Sequence, residues 1–132
     1  MAGQGCVRWL VCSGALEFAG LASALVLGAC ATSIQWAPTS HDIRDILQFS
    51  SHDQNLGVLV AAGMVGEDPC EAACALAGLH EGRTVLCVGG AAGYAQACAA
   101  RGVTATVEPQ GLVRLLVALH AEDLRACAEQ RG

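Results

Sequence analysis

Sulfur is the most concentrated chemistry in this chain, with eight Cys among 132 residues. Cys70 and Cys74 stand at i, i+4, a spacing that puts two thiols on one face of a helix, where they can share a metal ion or respond to oxidation. Two ligands do not complete a structural zinc site, and His80 falls on another face, so packing of small side chains is the expectation there. Cys12, beside Ser13 at the end of an apolar run, stands where a helix N-terminus would lower a thiol pKa, but no general base accompanies it. His41-Asp42 reads as a solvated capping pair. Trp9 and Trp36 sit in strand-like runs and are expected in the core.

Three further stretches are built of small residues: Cys12-Ser13-Gly14-Ala15-Leu16-Glu17-Phe18-Ala19-Gly20, Ala61-Ala62-Gly63-Met64-Val65-Gly66 and Gly89-Gly90-Ala91-Ala92-Gly93. Such loops allow a flat or bulky ligand to approach the backbone closely, although tight turns ask for Gly in any case. Every basic side chain is Arg; there is no Lys. Schiff-base chemistry, a P-loop and a receiver-type Lys are thereby excluded. The formal charge of −5 also disfavours a nucleic-acid binder, which needs a basic stripe to displace counterions from phosphates.

The elements that must position these loops alternate regularly. Val7–Cys12, Ser33–Ala37, Gly57–Ala62, Thr84–Val88 and Val103–Val107 are short apolar runs that read as strands. Helical spacing follows each one. Leu16 to Ala31 carries Leu21, Leu25 and Gly28 on one side. Thr39 or Ser40 caps a helix through Asp42 to Phe49, with Ile43, Ile46 and Leu47 on its inner face. Asp68 as N-cap, Pro69 at the first position and Glu71 at the third open the clearest helix, which is expected to end near Gly82. A helix of about two turns closes at Gly102. From Gly111 the last helix sets Leu112, Leu115, Leu116, Leu119, Leu124 and Cys127 on one stripe.

This alternation predicts one α/β domain over 1–132, a flavodoxin-like three-layer sandwich with a five-stranded parallel sheet and helices on both faces. Ligands in such folds bind at the carboxyl ends of the strands. Apolar residues make up 54% of the chain and charged residues 14%, which argues against disorder. The Cys residues fall within apolar strand and helix patterns, so they are expected to be reduced and buried, and the protein cytoplasmic. Leu27-Gly28-Ala29-Cys30 has the form of a lipoprotein cleavage box. Arg8 alone precedes it, however, and Glu17 interrupts the apolar stretch, so neither a signal peptide nor a membrane span is expected.

The pattern resembles the cobalamin-binding domain family. Those domains carry Asp-x-His-x-x-Gly or Glu-x-His-x-x-Gly after strand one, Ser-x-Leu at the end of strand three and Gly-Gly after strand four. Here Gly20 falls on the motif Gly, Glu17 on the His and Ala15 on the acid. Ala61 and Gly63 take the Ser and Leu positions, and Gly89 and Gly90 match the Gly pair. The resemblance spans roughly residues 7–120. It implies cobalamin as cofactor, with Ser13, Gly14, Glu17, Gly20, Ala61, Ala62, Gly63, Gly89 and Gly90 at its site. Glu17 replaces the cobalt-coordinating imidazole, and a carboxylate is a poor substitute on a transition metal. The cofactor would therefore be held by its nucleotide tail, without a protein His ligand and without catalysis. The expectation is a regulatory or accessory module acting with a protein partner or as a homo-oligomer.

Two alternatives stand beside it. A phospho-receiver has the same strand order, and its acidic pair would fall on Cys12-Ser13, its phosphorylated Asp near Ala61 and its Lys near Glu108. Without those residues the chain would be a pseudo-receiver that binds another protein. The run Gly89 to Gly93, with Glu108 after the next strand, is similar to a dinucleotide fingerprint, which would make the chain a nucleotide-binding subunit of an enzyme.

Overall fold

The five apolar runs pair side by side in a computed structural model that describes residues 7–13, 31–37, 39–53, 56–61 and 68–131. The strands are β1 (Val7–Cys12), β2 (Ala31–Ala37), β3 (Leu56–Ala61), β4 (Arg83–Cys87) and β5 (Ala105–Val107). They form one sheet in the order β2-β1-β3-β4-β5, and every pairing is parallel. The described helices are α1 (Ser40–Leu47), α2 (Pro69–Ala77), α3 (Ala95–Ala100) and α4 (Leu112–Arg131). The fold is flavodoxin-like, as the alternation of elements predicts.

Side chains on successive strand residues point to opposite faces, which divides the core in two. On one face Leu10, Cys12, Val58, Val60 and Leu86 pack against Ile43 and Leu47 of α1, Leu76 of α2 and Cys98 of α3. On the other, Trp9, Val11, Leu59, Val85 and Cys87 lie beneath Leu112, Leu116 and Leu119 of α4. Every residue of β3 is buried, the signature of a central parallel strand covered on both sides. Trp9 lies opposite Gly57 in the β1–β3 register, and a Cβ on Gly57 would stand 2.7 Å from the indole ring. The glycine makes room for the tryptophan.

The helix starts follow capping chemistry. Thr39 is the N-cap of α1 and accepts a hydrogen bond from the Asp42 N–H, while its own hydroxyl lies 2.9 Å from Asp42 Oδ2. Asp68 caps α2 by accepting from the Cys70 N–H at 3.1 Å, with Pro69 in the first turn. His41 and Asp42 are both exposed, as expected of a capping pair.

Several boundaries differ from the sequence reading. β2 begins at Ala31, so the helix expected over Leu16–Ala31 cannot reach that residue; the rest of that helix lies outside the described residues. β5 is shorter than the run from Val103 and begins at Ala105. α2 ends at Ala77 with Gly78 as C-cap, one turn before the expected stop. Gly82 serves another purpose: a Cβ there would come 1.9 Å from the Leu56 carbonyl oxygen, so the approach of the chain to β3 demands Gly. Trp36 is 42% exposed on the edge strand β2 and is not a core residue; Trp9, at 5%, is one. Leu112, Leu116 and Leu119 are buried, whereas the side chains of Leu124 and Cys127 lie outside the described residues. No described helix is long and apolar enough to cross a membrane.

Candidate functional site

The carboxyl ends of the strands are where side chains of this fold meet a ligand. At the end of β1, Cys12 and Ser13 are both fully buried. The Ser13 N–H donates to the Ala37 carbonyl at 3.2 Å, and its carbonyl accepts from the Trp36 indole N–H at 2.8 Å. The backbone at the end of β1 is thereby tied to the edge strand β2. Ala61 ends β3 and is also fully buried. Gly14, Glu17 and Gly20, and likewise Ala62 and Gly63, lie outside the described residues.

The loop after β4 is open. Gly89 and Gly90 are exposed, and no atom of the described residues lies within 4 Å of where a Cβ on either would stand. Glu108, just past β5, closes one side of this loop. Its carboxylate accepts from the Gly90 N–H at 3.3 Å and from the Ala91 N–H at 3.0 Å. An anion held by two backbone amides is a charge-assisted arrangement, and it occupies donors that a phosphate would otherwise seek. This contact was not anticipated from sequence. Its trace there is the pairing of the Gly89–Gly93 run with Glu108 in a dinucleotide-like pattern, which does not predict that the two touch.

Of the expected site residues, the structure therefore brings Ser13, Ala61, Gly89 and Gly90 to the same edge of the sheet. Ser13 and Ala61 are buried at strand ends, while the two glycines are exposed in the loop. A cavity of about 220 Å³ opens beside that loop, between Val88, Gly89 and Tyr94 on one side and Asp68, Pro69 and Cys70 on the other.

One lining residue of this cavity, Cys70, belongs to a thiol cluster that sequence spacing undercounted. Cys70 and Cys74 are joined by Cys98 from α3, and the three sulfurs lie within 4.8 Å of one another. Cys70 Sγ stands 3.0 Å from Cys98 Sγ. Burial pushes the Cys98 thiol up to about 12 and raises that of Cys74 as well. Cys87, buried in β4, is pushed up to about 11 by desolvation and then by the nearby Glu108 carboxylate. Arg101 at the end of α3 reaches Glu71 on α2, with Nη1 3.0 Å from each carboxylate oxygen.

Phosphoryl chemistry of the receiver type requires acids at the ends of β1 and β3 and a Lys after β5. Those places hold Cys12-Ser13, Ala61 and Glu108. No family model matches the chain, and neither does any curated protein. Solved structures do match it. A signal receiver domain from Vibrio parahaemolyticus superposes with a TM-score of 0.70 at 14% identity, covering 96% of this chain and 98% of that one. A response regulator from Burkholderia pseudomallei, solved with a phosphorylated aspartic acid, a calcium ion and citrate, gives 0.68 at 18% identity over 94% of this chain and 72% of that one. The CheY-like receiver domain of Methanospirillum hungatei gives 0.66 at 14% identity, covering 96% and 99%. At these identities the likeness defines the fold. The chain has the flavodoxin-like architecture of receiver domains, and the described rim carries a different set of side chains.

Proposed function

We propose that this chain is a pseudo-receiver: a domain of receiver architecture that binds another protein and transfers no phosphate. The observation that carries the reading is the pairing of the β2-β1-β3-β4-β5 order with Cys12-Ser13, Ala61 and Glu108 at the strand ends. Among the described residues, no carboxylate stands at the end of β1 or β3 to hold a divalent cation or accept a phosphoryl group. Where a Lys would stabilise the bound phosphate, the Glu108 carboxylate sits on the Gly90 and Ala91 amides instead. An anion arriving there would meet like charge.

Two measurements test this. Incubation with acetyl phosphate and Mg²⁺ should leave the intact mass unchanged; a stable gain of one phosphate on the loop after β3 would overturn the reading. Val113 and Val117 are exposed apolar residues one turn apart on α4, and Tyr94 is exposed before α3. A photo-crosslinker placed in turn at these three positions in cells should give a discrete protein adduct from at least one of them. Failure at all three would remove the interaction module. Desalting after addition of hydroxocobalamin separates the corrinoid reading: retained absorbance lost in Gly89→Leu would put a cofactor in the open loop and displace the pseudo-receiver.

A further inference from the structure

Cys70 and Cys74 are one turn apart on α2, and the packing of α3 against the sheet delivers Cys98 beside them. We propose that these three thiols form a site for one soft, thiophilic d10 metal ion, Cu(I), bound through three sulfurs.

The donor set selects the ion class. Among the described residues the cluster contains sulfur only, with no His nitrogen or carboxylate oxygen. Hard cations such as Mg²⁺ and Ca²⁺ require oxygen ligands, and thiolates favour Cu(I), Zn(II) or iron–sulfur centres. A closed structural zinc site takes four protein ligands, whereas three sulfurs complete a trigonal Cu(I) site. Metal–sulfur bonds of about 2.3 Å would place trigonal sulfurs about 4 Å apart. The observed sulfurs lie within 4.8 Å of one another, with the closest pair at 3.0 Å, so binding needs side-chain shifts of only about 1 Å.

The surroundings supply what a metal site needs besides ligands. Cys98 and Cys74 are buried, which keeps competing water away, while half-buried Cys70 lines the cavity of about 220 Å³ and gives the ion an entry path. The Asp68 cap holds the backbone at Cys70, and the Arg101–Glu71 ion pair links the two helices that carry the sulfurs. The Arg101 guanidinium also places positive charge near Cys74, where it offsets part of the negative charge on a thiolate set. As each sulfur–copper bond forms, the thiol proton leaves to solvent. Copper enters and remains as Cu(I), and no electron is transferred. This inference does not depend on the interaction reading, because the cluster lies on α2 and α3 and not on the replaced receiver positions.

The test uses the full chain, reduced and kept anaerobic, titrated with Cu(I) against a chromophoric Cu(I) chelator. One Cu(I) per chain should be withdrawn from the chelator, and X-ray absorption should show sulfur neighbours alone. Cys98→Ser and Cys70→Ser should each weaken binding about 100-fold or more, while Cys87→Ala, on the opposite face of the sheet, should not. Cys70 is half-buried, so Cys70→Ser tests the site even where Cys98→Ser perturbs folding, and circular dichroism identifies which variants are folded. No uptake by the reduced protein would overturn the proposal, as would unchanged affinity in Cys70→Ser, nitrogen or oxygen ligands at the metal, or preferential retention of Zn(II) in direct competition.

Discussion

Protonating His80 would undo a hydrogen bond from the backbone. Its Nδ1 accepts from the Gly82 N–H at 3.0 Å, and its Nε2 lies 2.8 Å from the Thr84 hydroxyl. With Nδ1 accepting, the neutral ring carries its proton on Nε2 and donates to Thr84. Burial lowers the His80 pKa below the ordinary 6.5, because desolvation penalises the charged form. The folded chain therefore binds fewer protons than the unfolded one in mild acid. The stabilisation is complete above about pH 6.5 and declines as pH falls through the lowered value. Urea midpoints measured from pH 7 down to pH 5 should fall, and they should fall less steeply in His80→Gln. Parallel curves for the two proteins would show that His80 does not carry the dependence.

At the scale of elements, α2 depends on its first turn. Asp68 satisfies one of the amides that a helix start leaves without a partner, and Pro69 fixes the backbone there. Asp68→Ala should cost about 1 kcal/mol in chemical denaturation, whereas Asp68→Asn, which keeps the accepting oxygen, should cost much less. Equal losses in both variants would mean that charge matters there and not the cap. This helix start was legible in sequence because Asp-Pro followed by Glu is local chemistry. The helix end was not. Gly82 looked like a stop signal, but its lack of a side chain answers to the Leu56 carbonyl oxygen, a neighbour only in three dimensions. Cys98 was missed for the same reason: its distance from Cys70 is set by how α2 and α3 pack, which no spacing rule encodes. Trp36 was misjudged because a short β-forming run does not reveal whether it will be central or at an edge.

Over the whole molecule, stability should grade outward from the middle of the sheet. β1, β3 and β4 each have a strand on both sides, and their described side chains are nearly all buried. β5 has three residues, all half-buried, on an edge. Hydrogen exchange should therefore leave Leu59, Val60 and Leu86 amides protected longest and release the β5 and α3 amides by smaller openings. Equal protection of β5 and β3 would indicate a single cooperative unit. The order of the five runs could be read from sequence because buried parallel strands are apolar on both faces and helices must cross between them. The chemistry of the rim could be read only as a set of residue types. Which of them meet was decided by register and by two backbone contacts, Glu108 to Gly90 and Ala91, and Trp36 to Ser13.

The last of these contacts has an optical use. The chain has two Trp, one sealed under α4 and one half-exposed with its indole N–H bonded to the backbone just past β1. Their emission should separate into a blue component from Trp9 that acrylamide barely quenches and a redder, readily quenched component from Trp36. The red component lies at the carboxyl edge of β2, next to the rim. Anything that docks there should shift it while the blue component stays fixed, so the unlabelled protein carries both a reporter and its internal reference.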